Sequence, residues 1–289
     1  METEMARPMA PWGVYTSHAR LAAPGGDRAA RELEELGFGA LWIANCRGRL
    51  DAVEPALAAS RSLQVGTAVL SVWDLDADAA AAEFHRLDTA YPGRFTLGAG
   101  VSHAPLVEGA GGRYERPFTR MRAFLDGLDA PPAPVPADRR MIGANGPKMI
   151  TLAGERTAGA LTYLVTPDHT LAHRERLGPA PILVAEQKVV LDEKPDSARA
   201  TARAHLAVYL TLPNYVNNLL RMGFGAGDLA GGGSDGLVDA LVAWGSPEEV
   251  VRRAGLHRDA GADQVALHVL TGQEGPQLAE WRRLGPALG

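Results

Sequence analysis

Two short segments of the sequence carry residue types that could hold and work on an anion and a flat ring. Met141-Ile-Gly-Ala-Asn-Gly-Pro-Lys148 runs from an apolar stretch through a glycine turn into a helix whose first position is Pro147. Unbonded backbone N–H groups at such a helix start, helped by the helix dipole and Lys148, face an anion. An ordinary capped helix uses the same residue types. The spacing is not that of a GxxxxGK[ST] phosphate loop. In Leu97-Gly-Ala-Gly-Val-Ser-His103, the missing side chains at Gly98 and Gly100 admit either a flat ring or a closely packed neighbour. The pair lacks the third glycine of a dinucleotide fingerprint, and no clear helix follows. His103 closes this segment. An imidazole pKa near 6.5 suits it to move a proton at neutral pH, while shaping the pocket or hydrogen-bonding a ring is the equal alternative.

Glu186 and Lys188 lie two apart on an apolar run and so share one strand face, where an internal ion pair is the expectation. HExxH and clustered histidine and carboxylate sets are absent from the sequence, and its GxSxG match, Gly232–Gly236, falls in a glycine-rich stretch that reads as a loop rather than at a strand-to-helix elbow, so hydrolase and metal chemistry have no support and no metal ligands are assigned.

Positioning these residues requires a repeated grammar of helix, glycine and strand. Ala29, Leu33 and Leu36 recur at helical spacing, Gly37 stops the helix, and residues 39–43 read as a strand buried on both faces. The grammar returns with strands at 94–98 and 160–164. It returns again where Ser246-Pro-Glu-Glu249 opens a helix, Gly261 ends it, and 264–270 forms a strand. Further strands fit 12–17, 65–70, 141–143 and 182–191. Eight strands alternating with amphipathic helices demand a parallel sheet, either an open doubly wound sheet or a closed (β/α)8 TIM barrel of roughly 250 residues. The α/β class follows in both cases.

In a barrel the polar residues just after each strand collect at one mouth. They are Ser17 and His18; Asn45, Cys46 and Arg47; Ser71 and Trp73; Ser102 and His103; Asn145 and Lys148; Asp168 and His169. His85, His173, His205 and His257 fall within helices, where surface or packing roles are expected. The proline-rich stretch 130–136 reads as a helix-to-strand loop, and 225–236 as a flexible loop that is either a lid or simply exposed.

At 289 residues, 46% hydrophobic and 22% charged, the chain can bury one large core, which divides it into a tail over 1–11 and a single domain over 12–289. A net charge of −5 gives no general attraction to nucleic acid or anionic membrane. One cysteine, Cys46, excludes an intrachain disulfide and a multi-cysteine zinc site, and points to a reducing cytoplasmic setting. The opening segment lacks the apolar core of a signal peptide, and no stretch suggests a membrane span.

The segments Glu34-Glu-Leu-Gly-Phe-Gly-Ala-Leu-Trp-Ile43, Tyr91-Pro-Gly-Arg-Phe95, Gly143-Ala-Asn-Gly-Pro-Lys-Met149, Glu186-Gln-Lys-Val-Val-Leu191 and Pro213-Asn-Tyr-Val-Asn-Asn218 together resemble the luciferase-like monooxygenase superfamily. Within it they look most like the branch of F420-dependent oxidoreductases of actinobacterial type. The resemblance spans nearly the whole chain and implies the closed, luciferase-like barrel. It also implies a deazaflavin or flavin ring over a bulge on the third strand, often with a non-proline cis peptide, which falls here at Ala68-Val69. The cofactor phosphate would sit at the turn 144–148.

With the residues read above, this assigns Ala68, Val69, Ser71, Gly98, Gly100, Ala144, Asn145, Gly146, Lys148 and Met149 to the cofactor, His18 and Trp73 to the substrate, and His103, Asn45 and Cys46 to catalysis. Relatives carry an acid and a histidine where this chain has Asn45 and Cys46, which puts a proton relay through the second strand in doubt. The implied activity is hydride transfer between F420 and a small organic substrate. Alternatives are an FMN-dependent two-component monooxygenase and a non-catalytic flavin- or deazaflavin-binding protein. A homodimer is open, because residues 213–224 could form an interface or complete the core.

Overall fold

A computed structural model describes residues 9–46, 48 and 50–289. Its strands in chain order are β1 (Trp12–Ser17), β2 (Ala40–Ala44), β3 (Gln64–Thr67), β4 (Leu70–Ser71), β5 (Phe95–Gly100), β6 (Arg140–Gly143), β7 (Gly159–Thr162), β8 (Ile182–Val190), β9 (Val242–Trp244) and β10 (Gln264–Val269). They pair in parallel in the order β10-β1-β2-β3-β5-β6-β7-β8. A further parallel ladder from β8 to β10, Gln264 opposite Val184 through Val269 opposite Val189, closes the ring of eight. That ladder excludes the open doubly wound sheet. Strands buried on both faces read as continuous apolar runs, and all five residues of β2 are buried.

The helix starts follow local chemistry. In Pro247–Asp259, Ser246 accepts from the Glu249 N–H at 3.3 Å, proline opens the first turn, and Gly261 at φ 95° follows the end. Inside the barrel, the Trp42 indole donates to Gln264 at 2.6 Å, and the Gln264 amide donates to the Ala10 carbonyl at 2.8 Å. Met9 packs against the same inner cluster. Residues 9 and 10, assigned to the tail by sequence, therefore close the barrel floor, while residues 1–8 lie outside the described part.

The mouth is roofed by the long connection from β8 to β10. Its helices Pro195–Tyr209, Pro213–Arg221 and Asp235–Leu241 share an apolar cluster that includes Leu206, Leu219, Leu237 and Leu241. Asn218 and Leu219 are fully buried, so these two residues of the segment 213–224 belong to the chain's own core, while Leu220 is exposed. Strand β9 has no counterpart in the sequence reading. Val189 pairs with Val269 on one edge and Ala243 on the other, so β9 takes the edge of β8 that β7 leaves free.

Two expectations are corrected. The strand expected over 65–70 is interrupted after Thr67 and resumes at Leu70. The stretch 225–236 is not an open loop: it holds the helical turn Ala226–Leu229 and a 3-10 turn at Ala230–Gly232. Asp228 fixes it by accepting from the Gly225 N–H at 2.9 Å and the Ser234 hydroxyl at 2.8 Å.

Candidate functional site

The peptide between Ala68 and Val69, in the break between β3 and β4, is cis and non-proline. The Tyr15 hydroxyl, from β1, donates to the Ala68 carbonyl at 3.0 Å. Val69 lies over the next two strands. A Cβ at Gly100 would sit 2.2 Å from its Cγ2, and one at Gly143 would sit 2.9 Å from its Cγ1, so those strands accept the Val69 side chain only as glycine.

Above this floor opens a cavity of about 510 Å³, a usual size for a cofactor pocket. Its walls come from the ends of β5, β6 and β7 and from the helix Pro213–Arg221. His103 lines it with its ring 4.8 Å from that of Tyr215. Burial pushes the His103 imidazole below its ordinary value, and its buried Nδ1 has no partner among the described residues.

The cavity continues to the start of the helix Pro147–Arg156. Gly146 is the N-cap, and no side chain caps it. A Cβ at Gly146 would meet nothing within 4 Å, so the turn presents open backbone to the cavity. Lys148 and Arg221 line this end from two different elements. Asn145 braces the turn: its amide nitrogen donates to the Tyr163 carbonyl at 2.7 Å, and its oxygen accepts from the Tyr163 N–H at 3.2 Å. His173 donates to the Asn145 carbonyl at 3.2 Å, and burial holds that imidazole down at about 4.

A second cavity, of about 650 Å³, lies over β10, β1 and β2 and shares Tyr15 with the first. Arg20, Asn45, His205, Tyr209 and His268 line it. Beneath it, Lys188 donates to both Glu186 oxygens at 2.9 Å in a fully buried ion pair, and His268 Nδ1 donates to Glu186 Oε1 at 2.8 Å. Burial alone would raise the Glu186 carboxyl, but the Lys188 ammonium and His268 outweigh it and hold the group at about 2. Burial pushes Lys188 down to about 8 against the pull of Glu186. The Lys188 ammonium also sits 3.5 Å from the Tyr163 ring centroid, and the Tyr163 hydroxyl donates to that of Tyr209 at 2.8 Å.

The assigned residues fall into three groups. Ala68, Val69, Gly100, His103, Ala144, Asn145, Gly146, Lys148 and Met149 line the first cavity together, and Asn45, at φ 59°, lines the second. The others line neither. A Cβ at Gly98 would be 1.9 Å from the Thr67 carbonyl oxygen, so close strand packing accounts for that glycine. Ser71 accepts from the Trp73 N–H at 3.3 Å, and the Trp73 indole donates to the Val101 carbonyl at 2.6 Å, beneath the rim. His18 is paired with Asp51 at 2.8 Å. Cys46 is buried, donates to the Ile43 carbonyl at 3.3 Å, and has its thiol pushed up to about 12 by burial; it is a packing residue. Arg47 lies outside the described residues. Asp168 and His169 belong to the first turn of the helix Pro167–Leu177.

The sequence reading missed Tyr15, Tyr163, Tyr215, Arg20, Arg221 and His268, and set His205 aside. For His268 a signal existed: Gln264, Ala266 and His268 alternate on one face of a strand whose neighbour presents Glu186 and Lys188.

The structure is a closed parallel (β/α)8 barrel with a cavity at the C-terminal ends of β5, β6 and β7. The model of the luciferase-like monooxygenase family matches residues 16–264, and the chain belongs to that family. The 5,10-methylenetetrahydromethanopterin reductase of Archaeoglobus fulgidus is 25% identical over 286 residues, covering 80% of this chain and 85% of the reductase. An F420-dependent secondary alcohol dehydrogenase, solved with an F420-acetone adduct, superposes with a TM-score of 0.74 at 14% identity, over 97% of this chain and 99% of the other. The oxygenating constituent of 3,6-diketocamphane monooxygenase from Pseudomonas putida, solved with FMN, gives 0.69 at 14% identity over 96% of each chain. The two solved enzymes share this fold, one holding an F420 adduct and the other FMN.

Proposed function

We propose that this chain is an oxidoreductase that moves a hydride between bound F420 and a small organic substrate. The observation carrying the proposal is a single cavity that joins a floor over the cis Ala68–Val69 peptide to an uncapped helix start flanked by Lys148 and Arg221. Such a cavity suits a molecule with a flat ring at one end and a phosphate at the other. Ala68 and Val69 would support the ring, and His103 and Tyr215 would wall it. Gly146, Lys148 and Arg221 would take the phosphate. When bound, the deazaflavin supplies two-electron hydride exchange. Tyr15 holds the Ala68 carbonyl and so fixes the floor on which the ring rests.

An FMN-dependent monooxygenase is the second reading, favoured by the likeness to the FMN-bound oxygenating constituent. Fluorescence titration of the purified protein with F420 and, anaerobically, with reduced FMN separates them. The proposal expects saturable F420 binding at least ten-fold tighter than FMN. The reverse order gives the monooxygenase, and binding of neither overturns both.

A further inference from the structure

We propose that His268, oriented by Glu186, is the acid–base group of this enzyme, and that the cavity it faces takes substrates with a hydroxyl on the carbon that exchanges hydride. The inference rests on the hydride-transfer reading above. Hydride removal from an alcohol carbon leaves a proton to be accepted, and the groups first expected to do so are poorly placed. Cys46 is buried with its thiol held protonated, and the Asn45 amide does not titrate. Among the described residues His103 has no carboxylate to orient it and its buried Nδ1 has no partner, which penalises its imidazolium form.

His268 has what those residues lack. Its Nδ1 is held at 2.8 Å by a carboxylate that is itself ionised and anchored by Lys188. That hydrogen bond fixes the tautomer, with the proton on Nδ1 and a lone pair on Nε2. No described protein group bonds Nε2, and the side chain is 11% exposed on the wall of the second cavity. The Tyr15 ring lies against it, 4.8 Å between centroids and tilted by 42°, and lines both cavities, so one side chain separates the imidazole from the first cavity. His205 also lines the second cavity but makes no described bond to a carboxylate, and burial holds it at about 3.

The groups facing His268 from the surrounding elements are Glu186 and Lys188 on β8, Tyr15 on β1, Tyr163 after β7, His205 on the helix Pro195–Tyr209, and the charge of Arg20 at the rim. Burial lowers the imidazole pKa and outweighs the opposing Glu186 carboxylate, which leaves the ring neutral and able to accept a proton at neutral pH. The step balances. The substrate C–H bond breaks with its electron pair leaving as hydride for the oxidised two-electron carrier. The O–H pair becomes the carbonyl π bond, and the proton goes to the Nε2 lone pair. The reverse reaction returns that proton to a carbonyl oxygen. No aspartate or glutamate lines the second cavity among the described residues, while Ser17, Asn45, Thr201 and Thr271 do, a wall suited to a polar alcohol.

Two measurements test this, one independent of turnover. In the cofactor-free protein, 15N NMR of the histidine rings should show His268 as the Nδ1–H tautomer at pH 7; an Nε2–H tautomer overturns the inference. The F420-loaded protein should then be assayed with primary and secondary alcohols of two to ten carbons. His268→Asn keeps a donor for Glu186 and deletes Nε2. It should leave F420 affinity within two-fold, slow single-turnover hydride transfer by roughly 10²-fold or more, and abolish one pH inflection. Unchanged rate and pH profile in a variant that binds F420 overturn the role of His268 alone. Failure of the loaded wild type to oxidise any of these alcohols overturns the substrate class. Failure of the wild type to bind F420 or reduced FMN overturns the functional reading, and the inference with it.

Discussion

His103 and Cys46 have similar standing in the sequence, each a reactive side chain just after an apolar strand, yet the fold separates them. His103 projects into the cavity beside Tyr215, whereas the Cys46 thiol turns back to the Ile43 carbonyl. Sequence periodicity reports which face of a strand a residue occupies, but not where the chain turns after the strand ends. His103→Ala should therefore weaken F420 binding about five-fold, the loss of roughly 1 kcal/mol of ring contact, while Cys46→Ala leaves affinity unchanged. Equal effects in the two variants would contradict the placement. His268 was missed for a related reason. It lies in the interior of β10 rather than after it, and its significance depends on the register that sets it opposite Lys188. The alternation of Gln264, Ala266 and His268 shows which face His268 occupies, but the register that brings it beside Glu186 and Lys188 is a long-range property.

At the scale of elements, starts and stops were the most legible feature. The pairs Gly146-Pro147 and Ser246-Pro247 open helices as their backbone chemistry requires. The stretch 225–236 was not legible, because its order comes from the Asp228 hydrogen bonds rather than from apolar spacing. The three-residue β9 is too short to show a period. The turn before Pro147 also gives a test of the phosphate end. Gly146 has φ −90°, a conformation open to any residue, and free space where a Cβ would go, so Gly146→Leu should fold normally. Its side chain would cover the backbone an anion must approach, and F420 affinity should fall at least ten-fold. Retained affinity in a variant with an unchanged melting temperature would remove the phosphate site from this turn.

At the scale of the molecule, eight parallel strands could be read from the alternation of helix, glycine and strand, but neither their spatial order nor closure could, because an open doubly wound sheet has the same local pattern. Closure is made by β8 and β10, and these strands also carry the buried charges Glu186 and Lys188 and their partner His268. The seam that closes the barrel thus holds a fully buried ion pair, and its stability has a defined pH dependence. Glu186 is held at about 2, below the value of about 4.3 expected in the unfolded chain, so its contribution is full above pH 4.3 and is lost as pH falls through about 2. Lys188 is depressed to about 8, so its burial penalty is present at neutral pH and is relieved only as pH rises above that value. The two effects oppose, and the pair as a whole adds little net stability. Removing one partner is different. Glu186→Gln leaves a buried ammonium without its counter-charge and should cost about 3–5 kcal/mol in urea unfolding at pH 7, whereas adding Lys188→Met should recover most of that loss. Relative to this double variant, the wild type should lose stability between pH 4.3 and 2, where protonation of Glu186 has the same effect as the single substitution. Equal stability of the single and double variants at pH 7 would show that the carboxylate and ammonium are not coupled across the seam.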